Sequence, residues 1–331
     1  MKGRLTICLL VLFLMLGVSG QLLASGQVHL RLGHDQSTGH PYDLGAQRFA
    51  QGVEERTNGA VTVTIYPAAQ LGDTPEQIEG LQMGTLDISI AGFSHVSQFI
   101  PQLGLFGVPY LIEDDDHFAA IFDGEIGAIL DKISLETANI RLLTTFTSGY
   151  RLLFNSRRPV RSPADLDGLK VRVMTGEADS MSWEAFGATP TPMPYSELYS
   201  ALQAGVVDGG ENEPASVLQN RFYEAAPYLA LTNHQVLPMG VFMSNIALQK
   251  LPQEYQEIIF EEAQKAALWQ RAYITEQNHL AIKRMEEEYN AIVTEVDIEA
   301  FAARGKGVQD VIAEKLKAVE LLDMVRQAAQ K

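Results

Sequence analysis

An eight-residue segment occurs twice in this chain and constrains its fold more than any other feature. Leu81-Gln82-Met83-Gly84-Thr85-Leu86-Asp87-Ile88 returns as Leu202-Gln203-Ala204-Gly205-Val206-Val207-Asp208-Gly209. Both copies read Leu-Gln-x-Gly-x-x-Asp, and both follow a helix-like run, residues 74–82 and 196–203. A glycine just past a helix takes the left-handed cap conformation at little steric cost, so the chain can turn directly into a strand. Copies this far apart do not make a solenoid, which needs short-period repeats. They fit two similar α/β lobes, each with a helix-turn-strand element facing a shared cleft. The competing reading is chance similarity.

The first 26 residues read as a secretory signal peptide. Lys2 and Arg4 form a basic start, residues 7–18 are almost uninterruptedly apolar, and small residues follow at Ser19, Gly20, Ala24, Ser25 and Gly26. The apolar run is shorter than the ~20 residues a membrane-spanning helix needs; a retained signal anchor is the alternative. The single cysteine, Cys8, lies inside the apolar run, so it cannot be the lipid-bearing first residue of a mature lipoprotein. The exported chain is expected to be soluble and free of cysteine, and its length suffices for two ordinary domains.

Net charge is −16, and about −18 without Lys2 and Arg4. The basic footprint that nucleic-acid binding needs is missing. A small anionic ligand remains compatible, because a cleft can carry local positive charge against the global field.

Strand-like alternation at residues 29–33 and 61–66, a helical run at 42–55 and a strand at 88–91 give β-α-β-α-β order, the mark of a largely parallel sheet. A helix is expected over 117–131 and a strand over 141–147. A second lobe begins near Gly149, with strands at 152–155 and 169–174, a short helix near 162–166 and another helix over 181–186. Pro190-Thr191-Pro192-Met193-Pro194 reads as a rigid connector. Residues 240–244 return the chain to the first lobe. A long helix spans 253–288, and 309–329 closes as one more. The expected division is residues 27–148 with about 238–275 in one lobe, and 149–237 with about 276–331 in the other.

Enzyme motifs are largely missing: there is no Gly-x-Ser-x-Gly elbow, P-loop, His-Glu-x-x-His or Gly-x-Gly-x-x-Gly. No cofactor or metal is expected. Glu113-Asp114-Asp115-Asp116-His117 has a metal-site reading, but carboxylates ahead of a helix more commonly serve as an N-cap and dipole-compensating first turn. Arg172 stands in the middle of an otherwise apolar strand. It is either an edge or ion-paired arginine, or a planar two-pronged fork for a carboxylate. Arg151, opening a strand, is either solvent-exposed or a second positive group. Asn212 ends a short strand, where open α/β sheets collect ligands, or else it is a turn residue.

These segments together carry a resemblance. Gly149-Tyr150-Arg151 with Asn155-Ser156, Leu169-Lys170-Val171-Arg172-Val173, the run from Gly187 through Pro192-Met193-Pro194-Tyr195 to Tyr199, and Ala201-Leu202-Gln203 through Asp208-Gly209-Gly210-Glu211-Asn212 closely resemble the DctP-type solute-binding proteins of TRAP (tripartite ATP-independent periplasmic) transporters. The first lobe matches in Tyr66-Pro67, Gln70-Leu71-Gly72, residues 81–87 and Pro109-Tyr110-Leu111. The resemblance covers nearly all of the mature chain.

It implies an α/β, two-lobe periplasmic binding protein fold, with a ligand cleft between the lobes and a long helix spanning both. It implies that Arg172 and Asn212 hold the ligand carboxylate, that Arg151 assists, and that Tyr195 packs on the ligand. His34, Asp73, Phe93 and Gln235 fall in regions that vary with substrate. Many relatives carry a second asparagine after Glu-Asn; this chain has Glu213. The expected function is a periplasmic receptor, monomeric and not an enzyme, that delivers an organic acid anion to TRAP membrane subunits. A uronate or aldonate is favoured because Asp73 is a good acceptor for sugar hydroxyls. A C4-dicarboxylate receptor, a secreted enzyme acting on acidic sugars and a sensory binding protein are the alternatives.

Overall fold

The computed structural model describes residues 27–329; the expected signal peptide, residues 1–26, lies outside them. Four strands come first, β1 (Val28–His34), β2 (Val61–Tyr66), β3 (Ile88–Gly92) and β4 (Ile140–Tyr150). Five shorter ones follow, β5 (Leu152–Asn155), β6 (Lys170–Val173), β7 (Thr189–Pro192), β8 (Gly209–Asn212) and β9 (Tyr228–Ala230). β10 (Val236–Ser244) and β11 (Ile292–Thr294) complete the set among the described residues.

These strands form two sheets, each with helices packed on it. The first runs β2-β1-β3-β10-β4, with β1, β2 and β3 parallel and β10 antiparallel to both neighbours. The second runs β11-β9-β5-β8-β6-β7, with β6, β7 and β8 parallel and β5 antiparallel to β8 and β9. Apart from β11, the two orders match strand for strand. Each sheet takes one antiparallel member, β10 or β5, from chain that has just crossed over from the other lobe.

The repeated segment occupies equivalent places in both sheets. Gly84 and Gly205 are left-handed, with φ of 70° and 67°. Their caps match as well: the N–H of Thr85 bonds Gly80, and that of Val206 bonds Ala201. The Asp87 carboxylate then accepts the backbone N–H of Arg31 at 2.8 Å, and that of Asp208 accepts the N–H of Lys170 at 3.0 Å. Chance similarity does not produce the same carboxylate-to-strand bond twice.

The lobes are joined where β4 runs into β5 with only Arg151 between them, and where β9 leads into β10. The two crossing strands stay paired there, since the Arg151 N–H donates to the Gln235 carbonyl at 3.0 Å. A third connection is the helix Gln253–Glu287, whose 35 residues span about 52 Å. Ile259, Ala263, Ala266, Ala267 and Ile274 pack into the first-lobe core, while Ala281 and Met285 pack into the second. Small residues let this helix lie close to both.

Four expectations need correction. The helix expected over 117–131 is two, Asp115–Phe122 and Glu125–Ala138, broken at Asp123-Gly124. The helix expected over 309–329 is also two, Ile298–Lys315 and Val319–Ala328, separated by a left-handed Lys317. The proline-rich connector is partly a strand: β7 lies at the sheet edge, where a missing N–H is tolerated. Finally, the last helix packs on the first lobe rather than the second. Leu321, Leu322 and Val325 join the core of the helices Asp115–Phe122 and Glu125–Ala138, because that amphipathic face finds its apolar partner there. In the acidic run, Asp114 caps the helix that follows, accepting the His117 N–H at 2.7 Å.

Candidate functional site

The parallel strands of both sheets end toward the space between the lobes, where ligands gather in open α/β sheets. A narrow cavity of about 20 Å³ lies there. Asp35 and Gln36 reach it from the end of β1, Gly92 and His95 from the end of β3, and Leu237 and Met239 from β10. The second lobe supplies Arg151 at the crossing, Arg172 and Met174 from β6, Asn212 and Glu213 from β8, and Tyr195 after β7.

Arg172 is 1% exposed and lies between two neighbouring strands, so it is not an edge residue. Its Nε and Nη2 donate to the Met193 carbonyl at 3.1 and 2.8 Å, and its guanidinium lies 5.8 Å from the Tyr195 ring centroid. Among the described residues no carboxylate pairs with it. Burial therefore works against its charge, Glu211 only partly offsets this, and Arg151 adds repulsion. A buried cation without a counter-charge is expensive. An anion entering the cavity removes that cost.

Arg151 is equally buried but fully engaged. Nε and Nη2 hold both oxygens of Glu211 at 2.5 and 3.0 Å, and Nη1 holds Glu213 at 2.9 Å. Burial would raise the Glu211 pKa, yet Arg151 and a hydrogen bond from His234 outweigh it and hold the group at about 2. Glu213 also accepts from Ser216 at 2.6 Å and Tyr42 at 3.2 Å, and it faces His40 at 3.5 Å. Since Tyr42 and His40 belong to the first lobe, Glu213 ties the lobes together. The Asn212 Oδ1 accepts the Glu213 N–H at 3.0 Å, and its amide NH₂ has no protein partner among the described residues.

The other positions singled out in the sequence divide. Tyr195 lines the cavity and accepts from Asn220 at 2.9 Å. Asp73 stands at the mouth, bonded across the cleft to Ser196 Oγ at 2.9 Å. His34 is fully buried against Asp43, with Nε2 at 3.3 Å from Oδ1, and it is not among the cavity-lining residues. Gln235 is turned into the protein, donating to the Phe106 carbonyl at 3.2 Å. Phe93 belongs to an aromatic cluster with Phe106, Phe122 and Phe242 in the first-lobe core.

Asp35 shares the loop singled out with His34 and lines the cavity in its place, whereas His95, directly after Phe93-Ser94, was missed. For Asp35, alternation explains the offset, since neighbours at a strand end point to opposite sides; His95 lies on the short helix Phe93–Val96 that follows β3. His95 bonds Thr175 Oγ1 at 2.9 Å, and burial with the nearby Arg172 and Arg151 charges lowers its pKa to about 3. Asp35 is pushed the other way, to about 6, by burial and by Glu213. The cavity thus has one unpaired guanidinium, a neutral imidazole and a set of acceptors.

Residues 32–316 match the family model of bacterial extracellular solute-binding protein, family 7, or DctP. The chain belongs to this family. It is 32% identical over 299 residues to the 2,3-diketo-L-gulonate-binding periplasmic protein YiaO of Escherichia coli K12, a match covering 88% of this chain and 91% of the relative. Among solved structures, a TRAP periplasmic solute-binding protein from Chromohalobacter salexigens with bound D-glucuronate superimposes with a TM-score of 0.86 at 30% identity, covering 90% of this chain and 99% of the other. The sugar acid binding protein DctPAm from Advenella mimigardefordensis, in complex with galactonate, gives 0.86 at 27% identity, covering 91% and 99%. The two-lobe architecture of this DctP chain is thus that of TRAP solute-binding proteins.

Proposed function

We propose that this protein is a periplasmic TRAP receptor for a monocarboxylic sugar acid, a uronate or an aldonate, which it hands to the membrane subunits of its transporter. One observation carries the reading: Arg172 is buried in the interlobe cavity without a carboxylate partner among the described residues. A ligand carboxylate completes its two-pronged donation, with the Asn212 amide beside it. Tyr195 packs against the ligand, and Asp35, Gln36 and His95 bond its hydroxyls. The uronate and aldonate found in the two solved relatives have this chemistry.

A C4-dicarboxylate needs a second cation. Among the described residues, the only other guanidinium lining the cavity, Arg151, already holds Glu211 and Glu213. The anion supplied is therefore singly charged. Nor does the cavity favour catalysis. His95, which lines it, bonds Thr175 Oγ1, and a histidine with a pKa near 3 is a poor base at neutral pH. The expected signal peptide, residues 1–26, exports the chain, which acts as a monomer.

Thermal shift with a panel of organic acids tests this. Ligand at about 100-fold over Kd contributes roughly 2.7 kcal/mol, so D-glucuronate or D-gluconate should raise the Tm by several degrees. Stabilisation by succinate or malate with no response to any sugar acid would reject the reading. Mass spectrometry of the bound fraction checks that the ligand is returned unchanged.

A further inference from the structure

We propose that Asp35 is the specificity gate of this cavity: it accepts hydroxyls from the end of the ligand remote from Arg172, and it excludes acids that carry a second carboxylate there. The inference deepens the sugar-acid reading and rests on it. Asp35 and Arg172 line the same cavity from opposite lobes. Each lacks an ion-pair partner among the described residues, so the pocket holds an unpaired acid facing an unpaired base. The only side-chain bond Asp35 makes among those residues comes from its neighbour Gln36, Nε2 to Oδ1 at 3.2 Å. Its remaining lone pairs are directed to whatever enters.

The position is built rather than incidental. Asp35 directly follows β1, whose last residue, His34, is fixed against Asp43 and accepts the Ala69 N–H through its carbonyl. Gln36 accepts from Ser216 of the second lobe at 3.2 Å, and its carbonyl accepts the Ala68 N–H at 2.8 Å. The backbone on both sides of Asp35 is therefore pinned. Glu213 faces Asp35 from the second lobe and, although paired with Arg151, raises its pKa. A sugar hydroxyl gains a charge-assisted bond there, whereas a carboxylate meets the unpaired like charge of Asp35 at reduced dielectric.

D-Gluconate and D-glucarate make a matched pair, differing only in whether the far end is a hydroxymethyl group or a carboxylate. Calorimetry at pH 7.5 should find the wild-type protein binding gluconate at least 100-fold more tightly than glucarate. Asp35→Asn should weaken gluconate about tenfold, bind glucarate better and bring the ratio below about tenfold. Wild-type protein at pH 5.0 offers a second route that needs no variant. The Asp35 carboxyl, raised to about 6, is then mostly protonated, and the ratio should narrow in the same sense. The charged and titratable groups facing Asp35 are Glu213, Arg172, His40, Tyr42, Tyr195 and Asp73, with His95 beside them in the cavity. Asp35→Asn protein should lose most of that narrowing.

Glucarate within threefold of gluconate in wild type, an unchanged ratio in Asp35→Asn, or an equal pH response in that variant would each overturn the gate while leaving the receptor reading intact. If no sugar acid binds wild-type protein, both fall together.

Discussion

Arg151 and Arg172 are two buried guanidiniums of one cavity, and they differ in a single respect. Arg151 holds two carboxylates, at 2.5 and 2.9 Å, while Arg172 holds only the carbonyl of Met193. The same side chain is structural in one place and poised for a ligand in the other.

Removing Arg172 should therefore separate binding from stability. Arg172→Ala should lower affinity for the sugar acid by about 3–5 kcal/mol, the loss expected when a desolvated carboxylate loses its partner. Arg172→Lys should restore only part of this, because an ammonium does not reproduce the planar fork. Stability of the unliganded protein should be unchanged or rise, since no buried carboxylate is left behind. Calorimetry and thermal melts on the same preparations test both halves, and near-wild-type affinity in Arg172→Ala would make Arg172 structural.

Arg151→Ala should do the reverse. It leaves Glu211 and Glu213 buried without their cation, a loss of roughly 3–5 kcal/mol in stability. From the sequence Arg151 looks like an auxiliary ligand contact, whose removal would touch binding alone. Denaturant titration without ligand distinguishes these, and a wild-type midpoint would reject the structural role.

Legibility in the sequence followed the range of the physics involved. The repeat, the alternating strands and the Gly84 and Gly205 caps depend on neighbours a few residues away, and they read correctly. Arg172 also stood out, because a charge within an apolar strand needs an explanation wherever it lies. The engagement of Arg151 by Glu213 depends on a partner 62 residues away and left no local trace. The β7 edge strand was hidden by its prolines, which read as a connector until the sheet order placed them where no N–H is needed. Phe93 was mistaken for a ligand contact because a buried aromatic near a strand end has the same sequence signature in a core or a cleft. His95 shares its short helix and was overlooked for the same reason.

Asp179 supplies a pH test of the interlobe seam. One carboxylate oxygen accepts from Ser94 of the first lobe at 3.2 Å, and the other is buried without a partner. Burial, then Glu211, raises its pKa from 3.8 to about 7, against the opposing pull of Ser94, Arg151 and Arg172. Between those values the folded protein keeps a proton that the unfolded chain releases. The contribution to stability is thus complete below about pH 4 and lost as pH rises through 7. Asp179→Asn, which does not titrate, should be more stable than wild type at pH 8 by ~1–3 kcal/mol and should lose that advantage by pH 4. Equal differences at the two pH values would show that Asp179 does not titrate in this range.

Asp73 leads to a kinetic prediction. It occupies the N-cap position of the helix Thr74–Met83 but makes no side-chain cap bond there. Its carboxylate instead reaches across the mouth of the cleft to Ser196. That bond forms only when the lobes meet, so it should slow opening without affecting the first encounter with ligand. Losing one such hydrogen bond is worth about 1 kcal/mol, or roughly a fivefold faster ligand release at an unchanged association rate. Asp73→Ala and Ser196→Ala should each show this, and the double variant should add little because both remove the same bond. Asp73→Asn keeps an acceptor oxygen and should stay near wild type. Stopped-flow fluorescence measures both rates directly. A slowed association with unchanged release in Asp73→Ala would place Asp73 in ligand capture rather than in the latch.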